Sequence, residues 1–261
     1  MIKKLIFISI CLAGLSFLFN GCTANDKNNK EIQPIETKKL EAPITQNEFV
    51  DAFTFLNNEL PEEQKFSSEN VPKELYETGP VLSLYINGDT PYIVSWIDGG
   101  KILIFFKAEN SKKTPLYMNI APIKAVKLVG DQMENGIRLV EVTSYGASSS
   151  NQRENVKIFA ITGNTVTTAW DYDTLKSYSH PVEGKNLFEF VIETSSFSYS
   201  PWYYTKPGYD EKDVMKIIVN EAKEVIDTPS EDLEKVLYSR KTTSQKIFEW
   251  DSKQMKFIEK R

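Results

Sequence analysis

Histidine and cysteine are nearly absent from this chain of 261 residues, which holds one of the first, His180, and two of the second, Cys11 and Cys22. A single imidazole excludes metal and nucleophile schemes built on two or three, and two cysteines exclude a disulfide scaffold. Also missing are His-Glu-x-x-His, Cys-x-x-Cys, a Gly-rich phosphate loop with Lys, a Gly-x-Ser-x-Gly elbow and Ser-x-x-Lys. No cofactor and no metal site are therefore expected. Basic excess is lacking too: 31 Lys and Arg stand against 36 Asp and Glu, a net charge of −5, which argues against nucleic acid as a partner. What the chain does have is apolar mass. At 41% apolar and 12% aromatic, it can fold, and its length suits one domain or at most two small ones.

The chain begins Met1-Ile2-Lys3-Lys4, two positive charges ahead of an apolar run from Leu5 to Phe19. A basic start, a short apolar core and small residues at its end describe a secretory signal. The run is shorter than the roughly 20 residues a comfortable membrane span needs. It leads into Phe19-Asn20-Gly21-Cys22, which resembles the lipobox of bacterial lipoproteins. The resemblance implies that Cys22 is diacylated and becomes the new N-terminus, so residues 1–21 would be a signal peptide. Phe19 and Asn20 depart from the pattern's usual Leu and small residue. The implied location is the extracytoplasmic face of the cell membrane, held by lipid. Loss of Lys3 and Lys4 leaves 29 basic residues against 36 acidic, a net −7, so attachment rests on the lipid rather than on a polybasic patch. Cys22 would then be the mature chain's one thiol.

Residues 22–44 comprise the lipidated Cys and a polar, Asn- and Lys-rich tether without aromatics. As a random coil it would reach roughly 25 Å. Residues 45–261 are expected to form a single β-rich domain. Thr45-Gln46-Asn47-Glu48 fits a capping box, and Phe49, Phe53, Leu56 and Leu60 form one helical stripe that Pro61 ends. From Val81 to Ser200 short strand-like runs follow one another. Asn87-Gly88-Asp89, Asp98-Gly99-Gly100 and Gly163-Asn164 lie between them, sequences that supply the positive φ of tight hairpins. A second helix is expected over Glu211–Ile226, with Val214, Ile217, Ile218, Ala222, Val225 and Ile226 on one side. A last hairpin is expected around Asp251-Ser252-Lys253-Gln254. The fold class is mainly β: an antiparallel meander or partial propeller-like sheet with an N-terminal helix and a helix near the C-terminus.

Two stretches, Leu84 to Phe105 and Val126 to Ala160, each read as a strand, a Gly-Asp turn, a strand, a loop and another strand. The pattern is similar to the blade unit of FG-GAP or VCBS-type repeats and covers about 90 residues. Repeats of that family hold calcium through several turn Asp and Asn residues; here only Asn87, Asp89 and Asp131 stand there. Two or three units do not close a propeller, so an open sheet is implied.

The strongest candidate for ligand contact is the stretch from Tyr199 to Tyr209, where Tyr199, Trp202, Tyr203, Tyr204 and Tyr209 are interrupted by two Pro and a Gly. Flat rings with polar tips suit sugar faces and peptide surfaces, although such a loop can equally bury its own rings over a sheet edge. His180 next to Pro181 reads as a surface imidazole, and Asp171 with Asp173 as a solvated strand end. No catalytic residue is assigned. The functional expectation is a non-catalytic binding or accessory module of the cell envelope, with an envelope protein or glycan as partner. The alternative is a carboxylate-dependent hydrolase acting on cell-wall polymer, which needs only two suitably spaced acids.

Overall fold

The structure is a computed structural model that describes residues 43–66, 79–129, 136–148, 151–200, 214–233 and 235–260. Over these residues it is mainly β, with one α-helix and two antiparallel sheets. Cys22, Trp202, Tyr203, Tyr204 and Tyr209 lie outside the described residues. Among those described, no helix is long and apolar enough to cross a membrane.

The helix α1 (Gln46–Glu59) starts where the capping box places it. Thr45 Oγ1 accepts from the Glu48 backbone N–H at 3.3 Å, and Glu48 Oε2 accepts from the Thr45 backbone N–H at 2.8 Å. Lys113 on a neighbouring strand donates to Glu48 Oε1 at 3.0 Å, tying the cap to the sheet. Thr45→Ala removes one half of this exchange and is expected to cost about 1 kcal/mol of stability, read as a lower urea midpoint with unchanged slope.

Strands β1 (Val81–Ile86), β2 (Tyr92–Ile97), β3 (Ile102–Glu109) and β4 (Lys112–Ile120) form a four-stranded meander. The near-continuous apolar runs of β2 and β3 follow from cover on both faces. Ile93, Ile97, Ile102, Ile104 and Phe106 meet Phe49, Ala52 and Phe53 of α1. Tyr92, Val94, Leu103 and Phe105 alternate to the other side, where they meet Val140, Val142, Phe159 and Ile161 of the second sheet.

That second sheet runs in sequence order through β5 (Ile123–Leu128), β6 (Arg138–Ala147), β7 (Gln152–Thr162), β8 (Thr165–Pro181), β9 (Leu187–Ser200), β10 (Lys216–Pro229), β11 (Tyr238–Asp251) and β12 (Lys256–Lys260). The meander and the final β11–β12 hairpin are as the sequence predicts. The second helix is not: from Lys216 onward that segment is β10, paired along its length with β9 and with most of β11. Its apolar positions satisfy a helical spacing, but Ile217, Ile218, Val219, Val225 and Ile226 are β-branched and fit a pleated surface better. Residues 211–213 lie outside the described part.

The hairpin glycines divide into two kinds. Gly99 and Gly163 have φ of 68° and 56°, the left-handed backbone that favours glycine. Gly88 does not; there a Cβ would sit 2.2 Å from Arg138 Nη2, which donates to the Asn87 carbonyl at 2.5 Å. The first turn therefore needs glycine for close approach rather than for φ.

The second sheet is bent and split. On β8, Ala169 and Thr174 are extra residues in the ladder to β7, and such bulges bend and twist a strand. Beyond the second bulge β8 pairs with β9 only from Leu175↔Thr194 to Pro181↔Phe188. The other halves of the two strands diverge. β9 to β12 then fold across one face of β5 to β8, and Leu139, Ile158, Trp170, Ile217, Val219 and Phe248 fill the space between.

Candidate functional site

Where β8 leaves β9, two clefts open beside a cluster of aromatic rings, which gives Tyr172 to the first and Phe197 to the second. Trp170 stacks on Tyr172 with centroids 5.1 Å apart and planes 4° off parallel, and Phe197 and Phe248 close against the Trp170 ring at 5.3 and 5.7 Å. Trp170 Nε1 is buried here without a hydrogen-bond partner.

The first cleft, of about 520 Å³, is lined by Tyr172, Lys176, Glu193, Glu221, Lys223 and Lys246 among others. Its centre is Glu221. Ser244 donates to Oε2 at 2.7 Å, Lys246 donates to Oε1 at 2.9 Å, and the Tyr172 hydroxyl donates to the same Oε1. Lys246 also reaches the Tyr172 hydroxyl oxygen at 3.3 Å and lies 5.6 Å from its ring centre. Burial pushes the Glu221 carboxyl up, but the bonds from Tyr172, Lys246 and Ser244 outweigh it and hold the carboxyl down at about 2. Burial and the bond to Glu221 push Tyr172 up to about 12. The Glu221 bond likewise holds Lys246 above its ordinary value. A general acid or base works with a pKa near the operating pH. These three groups are driven away from it, which leaves Glu221 and Lys246 charged and Tyr172 neutral at neutral pH.

The second cleft, of about 750 Å³, lies between the β5–β7 face and β9; Lys127, Glu141, Glu154, Thr174, Phe197 and Tyr199 line it. Glu141 is 4% exposed, yet it is satisfied: Tyr199 donates to Oε2 at 2.6 Å and Lys127 lies 3.0 Å from Oε1. Thr174 donates to Glu154 Oε1 at 3.0 Å. The chain Lys127–Glu141–Tyr199 thus links β5, β6 and β9 across the floor of this cleft.

The sequence candidates fare unequally. Tyr199 is a buried β9 residue, 9% exposed, and not an open loop ring, because its hydroxyl is turned inward to Glu141. Asp171 and Asp173 do come together, with Asn155 Nδ2 donating to them at 2.7 and 3.1 Å. Arg153 and Lys176 also bind Asp173, at 2.6 and 2.9 Å. Burial raises the Asp173 carboxyl, but these partners outweigh it and leave it lowered. His180 is an exposed strand-end residue with Nε2 3.6 Å from Glu189. Among the described residues, no group of three or more His, Cys, Asp or Glu is placed to hold a metal.

Glu141, Tyr172, Glu221 and Lys246 are the groups that sequence reasoning missed. Glu141 left a faint signal, a lone charge inside the apolar run Leu139-Val140-Glu141-Val142. Its partner is 58 positions away, so only the fold pairs them. No protein-family model, curated protein or solved structure matches the chain.

Proposed function

We propose that this chain is a lipid-anchored binding or accessory module of a bacterial cell envelope, presenting the split sheet to an envelope protein or glycan. The binding reading rests on the split between β8 and β9, which opens two clefts, the first of them centred on groups whose charges are fixed. That is what a recognition surface needs, since fixed charges and shaped walls select a partner without turning it over. A hydrolase of the two-carboxylate type needs one acid with a raised pKa. The two cleft carboxyls displaced from their ordinary values, Asp173 and Glu221, are both displaced downward.

The anchoring reading rests on Cys22 after the apolar run, since only a thiol forms the thioether to lipid. Cys22→Ala is expected to abolish incorporation of labelled palmitate in growing cells and to leave the protein either released or retained as its precursor. Undiminished labelling of that variant would refute the anchor.

A further inference from the structure

We infer that the second cleft is a strand-addition site: it takes one extended stretch of polypeptide, paired through its backbone between β5 and β9. This rests on the binding-module reading and names the chemistry of its partner. Among the described residues, β5 is the end strand of its sheet and pairs with β6 alone. Along Ser195–Ser200, β9 pairs among the described residues with β10 alone, because β8 has already diverged. Both strands line the same cleft, which opens over the β5–β7 face: Lys127, Leu128 and Val129 on one side, and Ser195 to Tyr199 on the other. Each residue of a strand fills about 160 Å³, taking 3.3 Å of rise, 4.8 Å of strand spacing and 10 Å of sheet depth. The 750 Å³ of this cleft therefore holds about five residues, the length of an ordinary strand.

The composition of the β9 edge supports the same occupant. Exposed edges are commonly guarded against pairing by lysine, arginine or proline. β4 carries Lys112, Lys113 and Pro115, β11 carries Arg240, Lys241 and Lys246, and β12 carries Lys256 and Lys260. β5 also carries Lys124 and Lys127, whereas the β9 edge reads Ser195-Ser196-Phe197-Ser198, without lysine, arginine or proline. Amide and carbonyl groups repeating along two facing edges are matched by a polypeptide backbone; a sugar presents hydroxyls without that repeat. Phe197 and the floor formed by Lys127, Glu141 and Tyr199 would read alternate side chains of the guest.

The test pans a displayed library of random peptides of about eight residues against the full chain, then resynthesises a captured peptide in two forms. In each form a different alternate set of backbone amides is N-methylated. Each set faces one edge, so both forms are expected to bind at least about tenfold more weakly than the parent, the loss from about two hydrogen bonds. Ser195→Arg, which fills the cleft from the β9 wall, should weaken the parent peptide similarly, whereas Asn220→Arg, at an exposed position of β10, should not. Failure of the folded chain to capture any peptide would overturn the proposal. So would N-methylation without effect, or full binding by a folded Ser195→Arg protein. If Ser195→Arg does not fold, the N-methylated pair decides alone. In-cell crosslinking to an envelope partner at this cleft, with no backbone dependence in the peptides, would leave the binding module standing and remove only strand addition.

Discussion

Phe105→Ala is expected to lower the unfolding free energy by about 3–5 kcal/mol, the range for deleting a buried phenylalanine ring. Phe105 is 1% exposed and stands on β3 between the two sheets. Its ring lies 5.1 Å from that of Phe159 and 6.0 Å from that of Tyr117, both tilted. Phe159 belongs to β7, so this contact joins the four-stranded sheet to the eight-stranded one. Truncation removes the transfer energy of the ring and leaves a hole that neither rigid sheet can close. Urea unfolding followed by fluorescence measures the loss directly. Phe55→Ala serves as the control: its ring is 53% exposed on α1, and a surface change of that kind costs about 0.5 kcal/mol or less. A loss at Phe105 no larger than at Phe55 would mean that the sheets are not packed in this way.

Glu221→Gln is expected to remove most of the acid sensitivity that belongs to the first cleft. In the wild type the folded carboxyl lies at about 2 against an ordinary 4.5, so below pH 4.5 the unfolded chain takes up the proton first. The stabilisation is complete above that value and is lost as pH falls toward 2. The full shift corresponds to about 3.4 kcal/mol. Because the Glu221 side chain is 26% exposed and Lys246 37%, screening reduces the expected share to about 1–2 kcal/mol. The variant should therefore show a flatter stability curve between pH 4.5 and 2 by that amount. The alkaline side gives an independent reading. Tyr172 is held at about 12, by burial first and then by its bond to Glu221. Neutralising Glu221 should move its ionisation down toward 10 while burial keeps part of the shift. The difference in tyrosinate absorbance between wild type and variant isolates this one of the 12 tyrosines. An unchanged alkaline titration would show that Tyr172 does not donate to Glu221.

Legibility followed how local each feature is. The capping box at Thr45 and Glu48 is a contact three residues long, and it is found where the sequence places it. Gly99 and Gly163 mark turns because their φ is a property of one residue. The apolar runs of β2 and β3 read as strands in sequence, and the structure covers them on both faces. β10 was misread because six apolar side chains satisfied a helical period while its neighbours in space decided the matter. The split of the second sheet was illegible for a different reason. It arises at Thr174, one extra residue in a ladder, and no composition rule marks such an insertion. The cleft groups followed from it: Tyr172 meets Glu221, and Tyr199 meets Glu141, across 49 and 58 positions. The aromatic stretch after Ser200 drew attention because its rings are close in sequence. The rings that gather at the clefts are instead Trp170, Tyr172, Phe197 and Phe248, from three strands.

Site-specific photocrosslinking in intact cells tests the central claim, a lipid-anchored module that binds through its split sheet. A photoreactive residue replaces Ser195, on the wall of both clefts, or Lys112 on exposed β4 as the control. Mass spectrometry then identifies what each position captures. The account predicts one dominant envelope partner at position 195, absent at position 112 and lost when Cys22→Ala releases the protein from the membrane. The same adducts at both positions, or none at 195, would contradict it.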